Sequence, residues 1–141
     1  MTADQILDAN RYMTLATADA AGVPWVSPVW FAFDAAELFW ISYTHRRHSR
    51  NIAERPEIAV VVFDSTVKAF EAKAVYMSAT AALLEDDDRF RALAVYTRRE
   101  AEQGLGLLTL ADLEADGGLR LYRARVTERW ILDGNDNRVP A

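Results

Sequence analysis

Six stretches of this chain read as β-strands, and most are joined by links long enough only for a turn or a short helix. Met13 to Ala18, Trp25 to Phe33 and Leu38 to Tyr43 come first, then Glu57 to Phe63, Lys73 to Leu84 and Leu119 to Leu132. Side chains alternate between the two faces of a strand, so period-two patterning marks a sheet with distinguishable faces. Val75, Met77, Ala79, Ala81 and Leu83 share one face of the fifth stretch. In the last, Tyr122, Ala124, Val126, Trp130 and Leu132 fall on one face and Arg123, Arg125, Thr127 and Arg129 on the other. The run Ile58 to Phe63 is unbroken and rich in valine, as in a strand buried on both faces. Pro28 cannot donate to a ladder and marks an edge, a bulge or a place where the sheet opens. Strands in this order read as a small β-barrel with helices packed around it.

The helices follow from caps and stops. Thr2 and Gln5 have capping-box spacing, which starts a helix running to about Arg11. Thr44 is placed to cap a second, which Pro56 ends. Glu85 to Glu102 is the clearest, with acids at its start and Gly104 after its end. Thr109 to Asp112 opens a single turn, and the polar tail from Asp133 to Ala141 reads as loosely held.

A chain of 141 residues makes one domain, 1–141, with a real core. It has no cysteine, which excludes disulfides and thiolate chemistry, and only two histidines, so no metal site is expected. The N-terminus lacks a signal-peptide pattern and no run approaches a membrane span, so a cytoplasmic protein is expected. The net charge of −5 argues against a nucleic-acid partner.

Against that acidic background, Thr44-His45-Arg46-Arg47-His48-Ser49-Arg50 gathers both histidines and several arginines where a strand feeds a helix. The first N–H groups of a helix are free and its dipole favours negative charge. Arginines there can add bidentate contacts to a phosphate. The plainer reading is a solvated charged turn.

Leu15-Ala16-Thr17, then Gly22-Val23-Pro24 with Pro28-Val29-Trp30-Phe31, then the strand Leu38 to Thr44, and finally His48 to Val60, stand in order along the chain. In this order and spacing the chain resembles the pyridoxamine 5'-phosphate oxidase-like, FMN-binding split-barrel family, from about Ile6 to Leu132. The resemblance implies a mainly β fold with helices (α+β), a six-stranded antiparallel split β-barrel. It implies a homodimer with FMN at the interface and a small-molecule substrate over the flavin. The strand carrying Val26, Ser27, Pro28 and Val29 would line the ring. Ile41, Ser42, Arg46, Arg47, His48, Ser49 and Arg50 would surround the phosphate, and Lys73 corresponds loosely to a position that contacts the cofactor in some relatives. Two or three of the basic residues are expected in contact, because one helix cannot aim them all inward.

Relatives often carry lysine where this chain has His48. A histidine is charged only below a pKa of ~6.5 unless a phosphate raises it, so phosphate affinity is expected to weaken toward alkaline pH. Pyridoxamine phosphate oxidases proper hold their substrate with an Arg and a His in an added C-terminal segment. No histidine follows His48, so that substrate is not implied. The leading reading is an FMN-dependent oxidoreductase with no assigned catalytic residue and a cavity lined by Trp25, Trp30, Phe70 and Tyr76. The alternatives are a deazaflavin-dependent reductase on the same fold and a non-enzymatic flavin- or haem-binding protein using His45 or His48.

Overall fold

A computed structural model describes residues 1–141. Helix α1 (Ala3–Ala9) begins with the expected capping box, Gln5 N–H donating to Thr2 Oγ1 and Thr2 N–H to Gln5 Oε1. Strands β1 (Tyr12–Ala18) and β2 (Pro24–Trp30) form a hairpin, and β3 (Ala32–Asp34) follows. Then come β4 (Glu37–Tyr43), α2 (Arg47–Glu54), β5 (Glu57–Phe63) and β6 (Ala74–Leu83). Helix α3 (Asp88–Glu102) and the short α4 (Leu110–Glu114) precede β7 (Leu119–Leu132) and β8 (Arg138–Pro140). No helix is long and apolar enough to cross a membrane.

The sheet runs β2-β1-β5-β6-β7-β4-β3, all antiparallel, with β8 added beside β7. It curls into the expected split barrel, with eight strands instead of six. The run Trp25 to Phe33 is cut at Phe31: β2 pairs with β1, and β3 pairs with β4. The strand changes partner where the sheet closes on itself, which leaves β2 and β4 unbridged by a backbone ladder. The tail is not loose either. Asp133 Oδ1 accepts from the Asn135 and Asn137 amides and turns the chain back into β8.

Inside the barrel lie Met13, Leu15, Phe31, Leu38, Trp40, Val60, Val62, Val75 and Met77, each nearly inaccessible. Trp40 stacks on Tyr122 with centroids 5.7 Å apart. A second cluster, including Phe39, Ala92, Val95, Tyr96, Leu113 and Leu121, fixes α3 and α4 to the outside of β4 and β7. Arg99 of α3, almost buried, ties α1 down by donating to the carbonyls of Leu7, Asp8 and Asn10 and to Asp8 Oδ1 at 2.7 Å.

Two face assignments change. Strand β5 is not buried on both sides: Ile58, Val60 and Val62 point in, while Ala59 and Phe63 are exposed. In β7 the pairing slips between Ser78↔Glu128 and Ala79↔Val126, which leaves Thr127 as the extra residue of a bulge. Beyond it the parity inverts, so Ile131 packs on the core and Trp130 joins Tyr76 on the outer face.

Candidate cofactor site

Helix α2 is the plug of the barrel at one end. His48, Ser49, Asn51 and Ile52 are buried, and Arg47 and Arg50 are exposed on the other side. Asn51 Nδ2 donates to Thr17 Oγ1 at 3.0 Å, an anchor that the sequence reading missed. His48 enters the gap between β2 and β4. Its Nε2 lies 2.8 Å from Ser42 Oγ on β4 and its Nδ1 3.2 Å from Ser27 Oγ on β2. Burial, and then the nearby Arg46 guanidinium, hold its pKa below 6.5. Its ring nitrogens are engaged by serines, and in the absence of an anion its surroundings favour the neutral form.

The same gap leaves β2 with an open edge. Phe31 N–H donates to Arg11 O, which fixes the parity of the hairpin: odd residues of β2 bond to β1, and Val26, Pro28 and Trp30 turn their backbone groups to the edge. Pro28 thus removes a donor from that edge and none from the ladder. Val26 N–H and the carbonyls of Val26 and Pro28 remain available there. The side chains of Val26 and Pro28 are exposed on the outer face, and those of Ser27 and Val29 point in.

Thr44 does not cap α2. Strand β4 stays paired through Tyr43↔Leu119, and Thr44 N–H continues it by donating to Gly118 O at 3.0 Å. The chain then turns, and Arg46 takes the N-cap position with no side-chain cap bond. No protein group accepts from the N–H groups of Arg47, His48 or Ser49. Around this uncapped end, Arg47 lies over the Trp25 ring at 4.2 Å and Arg46 over Tyr43 at 5.4 Å. Neither they nor Arg50 pairs with a carboxylate, although acids outnumber bases in the chain. The arrangement can hold an anion by amide donors, helix dipole and guanidinium groups together.

The remaining candidates fall elsewhere. Ile41 points away from the barrel interior and is half-buried beneath α3. Ser49 is buried on the far side of α2 beside Tyr122, next to a cavity of about 320 Å3. Lys73 precedes β6 at the end opposite α2; at a strand rise of about 3.3 Å per residue it lies roughly 26 Å from Ala81, which borders α2. Trp30 is covered by Tyr96, rings 5.0 Å apart, and donates from Nε1 to Gln103. Tyr76 instead lines a groove of about 490 Å3 on the outer sheet face, with Thr14, Ala16, Ala59, Val61 and Trp130.

A family described as pyridoxamine 5'-phosphate oxidase matches residues 2–132. No curated protein matches the chain in sequence. Among solved structures, the haem storage protein HutZ of Vibrio cholerae superposes with a TM-score of 0.71 at 22% identity, covering 95% of each chain. A haem-binding protein of Mycobacterium smegmatis gives 0.75 at 18%, covering 96% of this chain and 54% of its own. An F420 reductase gives 0.66 at 23%, covering 89% of this chain and 94% of its own. At these identities the likeness carries the fold alone.

Proposed function

The chain belongs to the pyridoxamine 5'-phosphate oxidase family, and from that premise we propose that it is an FMN-dependent oxidoreductase acting on a small molecule. The observation that carries this reading is the set of three arginines, Arg46, Arg47 and Arg50, without carboxylate partners at the uncapped start of α2. A phosphomonoester brings about two negative charges, which suits that end. Arg47 and Arg50 hold the phosphate, together with the amides of Arg47, His48 and Ser49. The open edge of β2 offers Val26 N–H and the Val26 and Pro28 carbonyls to the polar rim of a flavin. Ser42, His48 and Ser27 act beneath them by keeping β2 and β4 at a fixed separation. Bound FMN supplies the hydride and electron transfer, and the protein positions the partner molecule against it.

Two copies pair through the outer sheet face. Ala16, Ala59, Val61 and Trp130 give that face an apolar surface which one copy leaves uncovered. Lys73, remote from α2 in its own chain, reaches a cofactor only in such a pair.

The test is to mix the purified protein with FMN, desalt it and record the absorption spectrum, alongside the Arg47→Ala, Arg50→Ala double variant. Retained two-banded flavin absorption, lost in the variant, is the expected result. If neither protein retains FMN while the native protein, and not the variant, retains a deazaflavin in the same experiment, the cofactor assignment moves to that molecule on the same arginines. Retention of FMN by the double variant would remove the arginine site altogether.

A further inference from the structure

Ser49, Ile52 and Ala53 lie at helical spacing, so one face of α2 carries all three. That face does not close against the sheet. A cavity of about 320 Å3 separates it from Ala81 and Ala82 near the end of β6, with Tyr122 of β7 and Thr44 at its sides. Its floor is deep: Ser49, Ile52, Ala81 and Tyr122 are each at most 4% exposed. Its rim is open, since Thr44, Ala53 and Ala82 are exposed. Small residues make the space. Alanines stand at three positions of the wall, and Gly118 has no Cβ to press on Thr44 Oγ1, which one would meet at 2.7 Å. The one aromatic wall is Tyr122; Phe70 is fully exposed and lines no part of it.

The floor has more hydrogen-bonding capacity than the chain uses. Three buried side-chain polar atoms lack a partner in the protein, and two of them, Ser49 Oγ and Trp40 Nε1, belong to residues that flank Tyr122. Burial pushes the Tyr122 phenol up in pKa, and the Ser49 hydroxyl beside it opposes that rise. The two hydroxyls are neighbours but are not aligned for a hydrogen bond. An unmade bond at a buried polar group is costly, and native proteins leave few. No charged side chain lines the cavity, so an ion there would lose its hydration without compensation. At about 30 Å3 for each water-sized group, the volume takes roughly ten non-hydrogen atoms.

We infer that this cavity is a ligand site, and that it takes a neutral, mainly apolar small molecule through one hydroxyl group held by Ser49 and Tyr122. A hydroxyl can donate to one of the two and accept from the other. Apolar walls with a few convergent polar groups are the usual make-up of a small-molecule site. Arg47 and Arg50 are exposed on the other side of α2, so the site stands whether or not FMN binds at the start of that helix.

Phenol and benzene are matched probes, close in shape and different by the hydroxyl. In amide NMR titrations of the native protein, phenol is expected to shift the Ser49, Ile52 and Ala81 resonances saturably and to bind more tightly than benzene. Ser49→Ala should weaken phenol about three- to tenfold, the loss of one neutral hydrogen bond, and leave benzene unchanged. Ala53→Leu, at the exposed rim, should exclude both probes with a melting temperature close to native. No saturable shift with either probe would mean that the cavity holds water only, which overturns the inference. Equal binding of the two probes, or native phenol binding by Ser49→Ala, overturns it as well. Saturable shifts confined to Thr14, Ala59 and Trp130 would place the probes in the outer groove instead. If Ser49→Ala does not fold, Ala53→Leu decides: phenol bound as by the native protein removes the site.

Discussion

Nε2 of His48 lies 2.8 Å from Oγ of Ser42, across the gap that β2 and β4 leave without a backbone ladder. A neutral imidazole can donate from one nitrogen and accept at the other, and serines satisfy either arrangement. Protonation adds a charge where burial and Arg46 oppose it, so the folded-state pKa lies below 6.5. Between the folded and unfolded values the unfolded chain binds more protons, and stability rises with pH. This contribution is complete above pH 6.5 and is lost as the pH falls through the folded pKa. Thermal midpoints measured from about pH 8 down to about pH 5 should fall over the lower part of that range. His48→Gln should be less stable at neutral pH and should lack this component of the decline.

The arginines make the opposite kind of prediction, a loss of binding with the fold intact. Arg47→Ala or Arg50→Ala removes a charged hydrogen bond to phosphate, about 1.5–3 kcal/mol, and should raise the FMN dissociation constant roughly 10- to 100-fold. Neither side chain is buried or ion-paired, and Arg47 loses only its contact with the exposed Trp25 ring, so unfolding free energies should stay within about 1 kcal/mol of the native protein. A flavin fluorescence titration and a urea melt on the same samples separate the two effects.

Gly118 supports the site from behind. Its φ is +80°, and a Cβ there would lie 2.7 Å from Thr44 Oγ1. Gly118→Ala should cost about 1–3 kcal/mol from strain at this backbone position and the close contact. Adding Thr44→Ala removes the contact but not the strain, so it should recover part of the loss in urea unfolding. Full recovery would mean that backbone conformation contributes nothing.

Arg99→Met should destabilise by about 2 kcal/mol or more, because it leaves the carbonyls of Leu7, Asp8 and Asn10 without the guanidinium that satisfies them. The loss should be local first. Amide hydrogen exchange in α1 should accelerate more than in β5 or β6, and uniform acceleration would speak against a role specific to α1.

How far the residues announce this architecture depends on which interactions are local. The capping boxes at Thr2 and Thr109 act over three residues and are visible in the chain, as is the inward set of β6. The break at Phe31 is not, because Val29, Phe31 and Phe33 alternate without interruption and only closure of the barrel divides them. Thr44 has every local qualification for an N-cap, yet its amide is held by Gly118, seventy-four residues away. At the site, the basic cluster on α2 was legible as a group. Which members turn inward was not: the packing of α2 into the barrel end sends His48 in and Arg47 and Arg50 out.

The extra residue at Thr127 acts on β7 as a frameshift acts on a message. Every side chain after it is read out on the opposite side of the sheet, so the outer face receives Trp130 and the interior Ile131. Deleting one residue there would exchange the two without altering either. What this end of the sheet offers to a partner is thus decided by counting, and a relative with the same residues but no bulge would present a different surface.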